Sequence, residues 1–295
     1  MDAAAAVERL WPDRGASFVP LEGGITNHNF KVDVNGQAFV LRMGGARTGL
    51  LGIDRTAEYQ AGLRAAEVGV GPEVAGFFED EGWLVTRFID GRPIPPEEMR
   101  RPETIARVAG ALRKFHDAAP IPGRFDAHAV VEEYRREAEA HGVDIPAAYA
   151  AAHAMSERVQ RVRGPQTPAP CHNDLLNANF LDDGEIRIVD WEYAGMGDRF
   201  FDLANLSVNH DFAAAEDQIL LTAYFGKATK ARFASLGMMK FMSDFREAMW
   251  GVLQSGISEL DFDFNGYAAK HFDRLQHTAS EPAFIRHLDR FRKLA

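Results

Sequence analysis

Only one cysteine, Cys171, occurs among the 295 residues. That excludes an internal disulfide and any metal site built on a Cys-x-x-Cys pair, and it leads us to expect a reducing, cytoplasmic setting. Long hydrophobic runs are missing as well. No stretch approaches the roughly 20 apolar residues needed to span a bilayer, and Met1-Asp2 followed by four alanines lacks the basic start and leucine-rich core of a signal peptide. Membrane insertion is therefore not expected. Basic residues are outnumbered, with 33 Lys and Arg against 43 Asp and Glu and a net charge of −10. Nucleic-acid binders concentrate cations, so a phosphate-backbone partner is not expected. The histidines show no zinc spacing, and neither an internal repeat nor a low-complexity segment interrupts the chain beyond the alanine-rich stretch near 147–154. What remains is an ordinary globular composition, 46% hydrophobic and 26% charged, in a chain long enough for two lobes.

The most informative stretch runs from Cys171 to Glu192. His172-Asn173-Asp174 is followed by Asn179, and after the turn Asp182-Asp183-Gly184-Glu185 the β-branched run Ile186-Arg187-Ile188-Val189 ends at Asp190. His-x-Asp-x-x-x-x-Asn with a second Asp closing an apolar run is the layout of a kinase catalytic loop. Phosphoryl transfer leaves little covalent work for the protein, so the chemistry needs acceptor positioning and neutralisation of triphosphate charge. Asp174 is assigned the acceptor hydroxyl. Asn179 and Asp190 are assigned magnesium, a hard ion that takes oxygen ligands, and the hairpin turn between them brings the two together. His172 is grouped with Asp174 in the catalytic loop, as the side chain that braces its backbone. Cys171 reads as a small buried residue beside that loop.

The first ninety residues alternate like a sheet. Strands are expected around 18–21, 29–34 and 38–42, with Asn35-Gly36 as a two-residue hairpin turn. Gly23-Gly24-Ile25-Thr26-Asn27 falls at the first turn, where the backbone at Gly24 and the side chains of Thr26 and Asn27 can approach ATP phosphates. Arg42 closes the third strand, and Glu58 lies on a helix beginning near Asp54, so the two can form the ion pair that protein kinases build from Lys and Glu. Two further strands, 74–78 and 83–88, lead to a hinge at Phe88-Ile89-Asp90-Gly91-Arg92-Pro93. There the backbone of Phe88 and Ile89 is assigned to adenine. Helical periodicity then covers 105–117, 129–141, 147–161, 201–208, 213–225, 231–254 and 264–275. The expected fold is α+β, a protein-kinase-like bilobal arrangement: a small antiparallel β lobe for nucleotide over residues 1–90, and a larger helical lobe with the catalytic hairpin and acceptor pocket over 91–295.

Taken together, Gly23-Gly24-Ile25-Thr26-Asn27, Phe39-Val40-Leu41-Arg42-Met43-Gly44, Ile53-Asp54-Arg55 with Glu58, Gly71-Pro72, His172-Asn173-Asp174 and Asp190-Trp191-Glu192-Tyr193-Ala194 resemble the choline/ethanolamine kinases. These belong to the broader aminoglycoside-phosphotransferase-like group. The resemblance runs from about residue 20 to about 275 and includes Trp250-Gly251-Val252-Leu253-Gln254-Ser255-Gly256-Ile257-Ser258. It implies ATP- and Mg2+-dependent phosphorylation of a small amino alcohol, choline or ethanolamine. It also implies an Arg at position 42 in place of Lys, and aromatic walls from Trp250 and Tyr267, which suit a quaternary ammonium that cannot donate a conventional hydrogen bond. Two departures stand out: Asn209 where the eukaryotic enzymes commonly carry Glu, and Glu247 in place of a second pocket Trp. A less aromatic cage turns attention to ethanolamine or another aminated alcohol, with Glu192 or Asp211 supplying negative charge. Thiamine or an aminoglycoside is the alternative acceptor within the class, and a catalytically silent nucleotide-binding scaffold is the alternative outside it. No residue pattern indicates an oligomeric state.

Overall fold

The computed structural model describes residues 2–21, 27–45 and 48–292. Helix α1 (Ala3–Leu10) starts at Asp2, whose carboxylate accepts from the Ala5 N–H at 2.8 Å, the usual way of satisfying an orphan helix donor. Strands β1 (Ser17–Leu21), β2 (Asn27–Val34) and β3 (Gln37–Gly44) follow. β2 and β3 meet at Asn35-Gly36, where both residues adopt positive φ (53° and 80°), the conformation a tight two-residue hairpin demands. Helix α2 (Arg55–Glu67) is capped by Asp54, and β4 (Val74–Phe78) and β5 (Trp83–Arg87) complete an antiparallel five-stranded sheet of order β1-β2-β3-β5-β4. Ala6 and Val7 of α1 close over Val32, Val34, Phe39, Leu41, Trp83 and Val85, giving this sheet its own small core. The third strand continues two residues past Arg42, which places that side chain inside the sheet and not at its end.

The link 88–91 leads to β6 (Arg92–Pro93). Short helix α3 (Pro96–Met99), α4 (Pro102–His116), α5 (Ala127–Ala140) and α6 (Ala148–Arg163) come next. Then follow β7 (Ala169–Cys171), β8 (Phe180–Asp182), β9 (Ile186–Ile188) and β10 (Gly195–Gly197). The chain finishes in helices α7 (Arg199–Asn209), α8 (Ala214–Phe225), α9 (Lys230–Ile257), α10 (Phe264–Ser280) and α11 (Pro282–Arg292). β8 and β9 form the expected hairpin, β6 adds to its outer edge, and β7 pairs with β10. These small sheets rest on α4 and α7, while α9 packs against α5, α7 and α10 through the middle of the helical part. Because α9 is surrounded, it is buried on nearly every side from Leu236 to Gln254. The architecture is α+β and protein-kinase-like: a small antiparallel sheet followed by a predominantly helical body that carries the hairpin. No helix among the described residues is long and apolar enough to cross a membrane.

Candidate active site

The loop from Cys171 to Asn179 is held from behind by α7. Asp202, fully buried, accepts from the backbone N–H of His172 and of Asn173, both at 2.7 Å, and lies 2.9 Å from His116 Nε2. Asn205 accepts from the Leu175 N–H at 2.6 Å. These bonds hold Asn173 at a φ of 68°, a conformation costly for a residue with a Cβ and kept only where surroundings over-determine it. Asp190 shares that feature, with φ 65°. His172 spends both ring nitrogens on backbone: Nδ1 accepts from the Asp174 N–H at 3.2 Å, and Nε2 stands 3.0 Å from the Val189 carbonyl. Burial pushes its pKa below the ordinary value, so the ring is neutral, with its proton on Nε2. His172 therefore braces the loop backbone and is not itself a catalytic group, because neither nitrogen is left for an acceptor or a phosphate.

Asn179 and Asp190 come together as the hairpin requires. The Val189 N–H donates to the Asn179 carbonyl at 3.0 Å, and the Asn179 amide nitrogen donates to the Asp174 carbonyl at 2.8 Å. The amide oxygen of Asn179 is then the atom suited to a metal. Asp190 Oδ1 is shut away from solvent without a hydrogen-bond partner. Burial, reinforced by Glu192 and Glu58, raises its pKa well above the usual carboxylate range. A buried carboxylate oxygen without a partner, on a chain segment bonded to the backbone of an Asn, is a donor set that fits a hard divalent cation.

On the sheet side a charge network joins both parts of the molecule. Arg42 Nη2 lies 2.7 Å from Glu58 Oε1, and Arg55 Nη1 lies 2.8 Å from Glu58 Oε2 and 3.1 Å from Glu192 Oε2. The Asn27 amide donates to Glu192 Oε2 at 2.8 Å, while its oxygen accepts from Arg55 Nη2 at 2.8 Å and Arg42 Nη1 at 3.2 Å. The Arg42–Glu58 pair is therefore present, and Arg42 Nε is buried without a hydrogen-bond partner. Glu192 is engaged by Asn27 and Arg55, so it ties the catalytic hairpin to the sheet. Gly24 and Thr26 lie outside the described residues. Phe88 and Ile89 sit in the link after β5, with the Phe88 N–H donating to the Ala38 carbonyl at 3.0 Å.

Beside Asp174 lies a group the sequence reading missed. Arg246, on α9 and 1% exposed, places Nη1 3.2 Å from Asp174 Oδ1 and 2.6 Å from Glu247 Oε1. Its guanidinium carbon stands 4.5 Å from the centroid of the Tyr193 ring. Tyr267 donates its hydroxyl proton to Glu247 Oε2 at 2.7 Å, and the Trp250 indole N–H donates to the Tyr193 hydroxyl at 3.2 Å. Trp250 and Tyr267 meet edge to face, centroids 5.6 Å apart. Burial pushes Asp174, against the pull of Arg246, up to about 7. Burial would raise Glu247 too, but Arg246 and His271 outweigh it and hold that carboxyl below the usual range. Asp211 does not join the group. Its side chain is 76% exposed, and its ion pair is with Arg274 at 3.6 Å. The carboxylate beside the aromatic wall is Glu247, which corrects the expectation placed on Asp211.

Fold and site define a phosphotransferase of protein-kinase-like architecture. A family model described as choline/ethanolamine kinase matches residues 18–217, and the chain belongs to that family, whose members are phosphotransferases acting on an alcohol. The crystal structure of a choline/ethanolamine kinase family protein from Mesorhizobium loti is 34% identical, covers 98% of each chain and superposes with a TM-score of 0.84. A probable ethanolamine kinase of Arabidopsis thaliana is 25% identical over 87% of this chain and 79% of its own. LicA, solved in complex with AMP, shares the fold at 19% identity and a TM-score of 0.76, covering 97% of this chain and 96% of that one.

Proposed function

We propose that this protein transfers the γ-phosphoryl group of ATP to the hydroxyl of a small amino alcohol of the choline and ethanolamine class. The observation that carries the reading is the buried cluster beside Asp174. Two carboxyls, Asp174 and Glu247, face one guanidinium, Arg246, so that ionisation of Asp174 leaves one negative charge in excess in a site walled by Trp250, Tyr267 and Tyr193. Burying a net charge is costly unless it is paired, and a monocationic acceptor pairs it. The family's relatives bear names with the same acceptors.

The nucleotide is placed between the sheet and the hairpin, with the division of the lobes at residue 90. Arg42, fixed by Glu58, offers its free Nε to phosphate, Asn27 sits at the mouth of the first turn with Gly24 and Thr26 before it, and the backbone of Ile89 reads the base. Asn179 and Asp190 would hold Mg2+, which when bound neutralises charge on the β- and γ-phosphates. Asp174 accepts a hydrogen bond from the acceptor hydroxyl and aims its oxygen at the γ-phosphorus. As the new P–O bond forms and the bond to ADP breaks, the hydroxyl proton passes to the Asp174 carboxylate. Trp250 and Tyr267 hold the ammonium end. A cytoplasmic location accords with ATP as donor.

An ATP-consumption screen over choline, ethanolamine, the methylated ethanolamines, thiamine and aminoglycosides tests the reading. Turnover with amino alcohols is expected. Turnover confined to thiamine or aminoglycosides, or none with any acceptor, would overturn it.

A further inference from the structure

Arg246 already places a cation where an amino-alcohol site receives one. It is 1% exposed, held by both Asp174 and Glu247, and covers one face of the Tyr193 ring at 4.5 Å. The neighbouring rings are turned on one another: Trp250 meets Tyr267 at 5.6 Å and 68°, and Phe264 at 5.8 Å and 66°. In such edge-to-face packing the electron-rich face of one ring receives the edge of the next, so part of the aromatic surface is used within the protein. A quaternary ammonium has no N–H and relies on open aromatic faces. Its methyl groups also hold its charge away from a carboxylate. A primary ammonium donates up to three charge-assisted hydrogen bonds, and each carboxylate oxygen of Asp174 and Glu247 has lone-pair capacity beyond the bond it makes to Arg246 or Tyr267.

Resting on the amino-alcohol reading above, we infer that Arg246 makes this site selective for acceptors with a primary ammonium over quaternary ones. It covers the Tyr193 face, and the acceptor's charge is then held by hydrogen bonds to the carboxylates. The inference concerns which alcohol is taken, through a residue that belongs neither to the catalytic loop nor to the metal ligands.

The unmodified protein with Mg-ATP is assayed against ethanolamine, its N-methyl and N,N-dimethyl derivatives, and choline. kcat/KM is expected to fall along the series by at least about tenfold, the scale of one charge-assisted hydrogen bond. Arg246→Met keeps length and apolar bulk but removes the charge from the ring. In that variant every kcat falls because Asp174 loses a partner, while the ethanolamine-to-choline ratio collapses at least about fivefold, mainly through a lower KM for choline. A purely structural role lowers all four acceptors alike and leaves the ratio unchanged, and that result overturns the inference. A flat or choline-favouring series in the unmodified protein also overturns it, with no variant needed. If Arg246→Met does not fold, by circular dichroism, Arg246→Gln is read by the same ratio, and Arg246→Lys, which keeps the charge without the planar stack, should fall between Gln and parent. Phosphorylation of none of the four alcohols would instead sink the amino-alcohol reading itself, an outcome distinct from a flat series.

Discussion

Replacing Asp174 by Asn separates what this carboxylate does for catalysis from what it does for folding. The amide is nearly isosteric, and Arg246 keeps its 2.6 Å contact with Glu247, so no buried charge is left without a partner. The folded-state pKa of Asp174 is raised to about 7, against about 3.9 for an exposed Asp. A carboxyl raised in this way contributes stability that is fully present below pH ~4 and lost as the pH rises through about 7. At pH 8 the parent therefore carries the whole cost of an ionised buried carboxylate, and the amide variant does not. The variant should melt at or above the parent's temperature at pH 8 and below it at pH 5. Catalysis should move the other way. Losing a positioned proton acceptor costs about a hundredfold to ten-thousandfold in kcat, with Mg-ATP affinity by calorimetry little changed. Because Asp174 acts as the carboxylate, the parent's kcat/KM for the acceptor should fall about tenfold per pH unit on the acid side, below a midpoint at or under about 7. The variant's residual rate should lack that limb. Turnover within a factor of about three of the parent, or the same acid limb in the Asn variant, would remove Asp174 from the mechanism.

Asp190→Asn deletes a metal charge and not an acceptor contact, so Mg-ATP should bind more weakly and lost turnover should return in part at raised magnesium; an unchanged magnesium titration would contradict the ligand assignment. Glu58→Gln removes the carboxylate that Arg42 pairs with and leaves Arg55 with Glu192 alone. Breaking a buried pair from one side costs roughly 3–5 kcal/mol, so the urea midpoint should drop and the KM for ATP should rise, whereas stability within about 0.5 kcal/mol of the parent refutes the network. Trp250→Leu should raise the KM for choline by up to about thirtyfold, the upper range of a desolvated cation–π contact, and that for ethanolamine by less, while the KM for ATP stays nearly constant. Equal changes for both substrates would make Trp250 a packing residue.

How much of this was legible depends on whether a feature is local. The β2–β3 hairpin could be read because Asn35-Gly36 adopts its left-handed conformation at little cost wherever it occurs, and strands of eight residues alternate long enough to show a period. The catalytic loop was legible because its chemistry fixes spacing along the chain. By contrast β6, β7 and β10 are two or three residues long, too short for any period, and exist through pairing with distant segments: Arg92 opposite Asp182, Cys171 opposite Gly195. Asp211 was misplaced because its sequence neighbourhood carries no information on direction. At the end of α7, with φ 51°, it turns to solvent and Arg274.

Arg246, and the contact Glu247 makes with it, were hidden for a deeper reason. Adjacent residues on a helix point about 100° apart and do not ordinarily form a pair, and α9 is buried on nearly every side from Leu236 to Gln254, so its periodicity marks no single face. Yet the same fact is a signal. Arg246 and Glu247 lie in the buried stretch between Phe245 and Ala248, and besides their own 2.6 Å contact each takes a further buried partner, Glu247 the Tyr267 hydroxyl and Arg246 a second carboxylate. The carboxylate facing Arg246 is Asp174, already fixed by the catalytic loop. A charged pair in a buried stretch of helix thus points from the scaffold to the reacting groups, and here it makes α9 one wall of the proposed acceptor site.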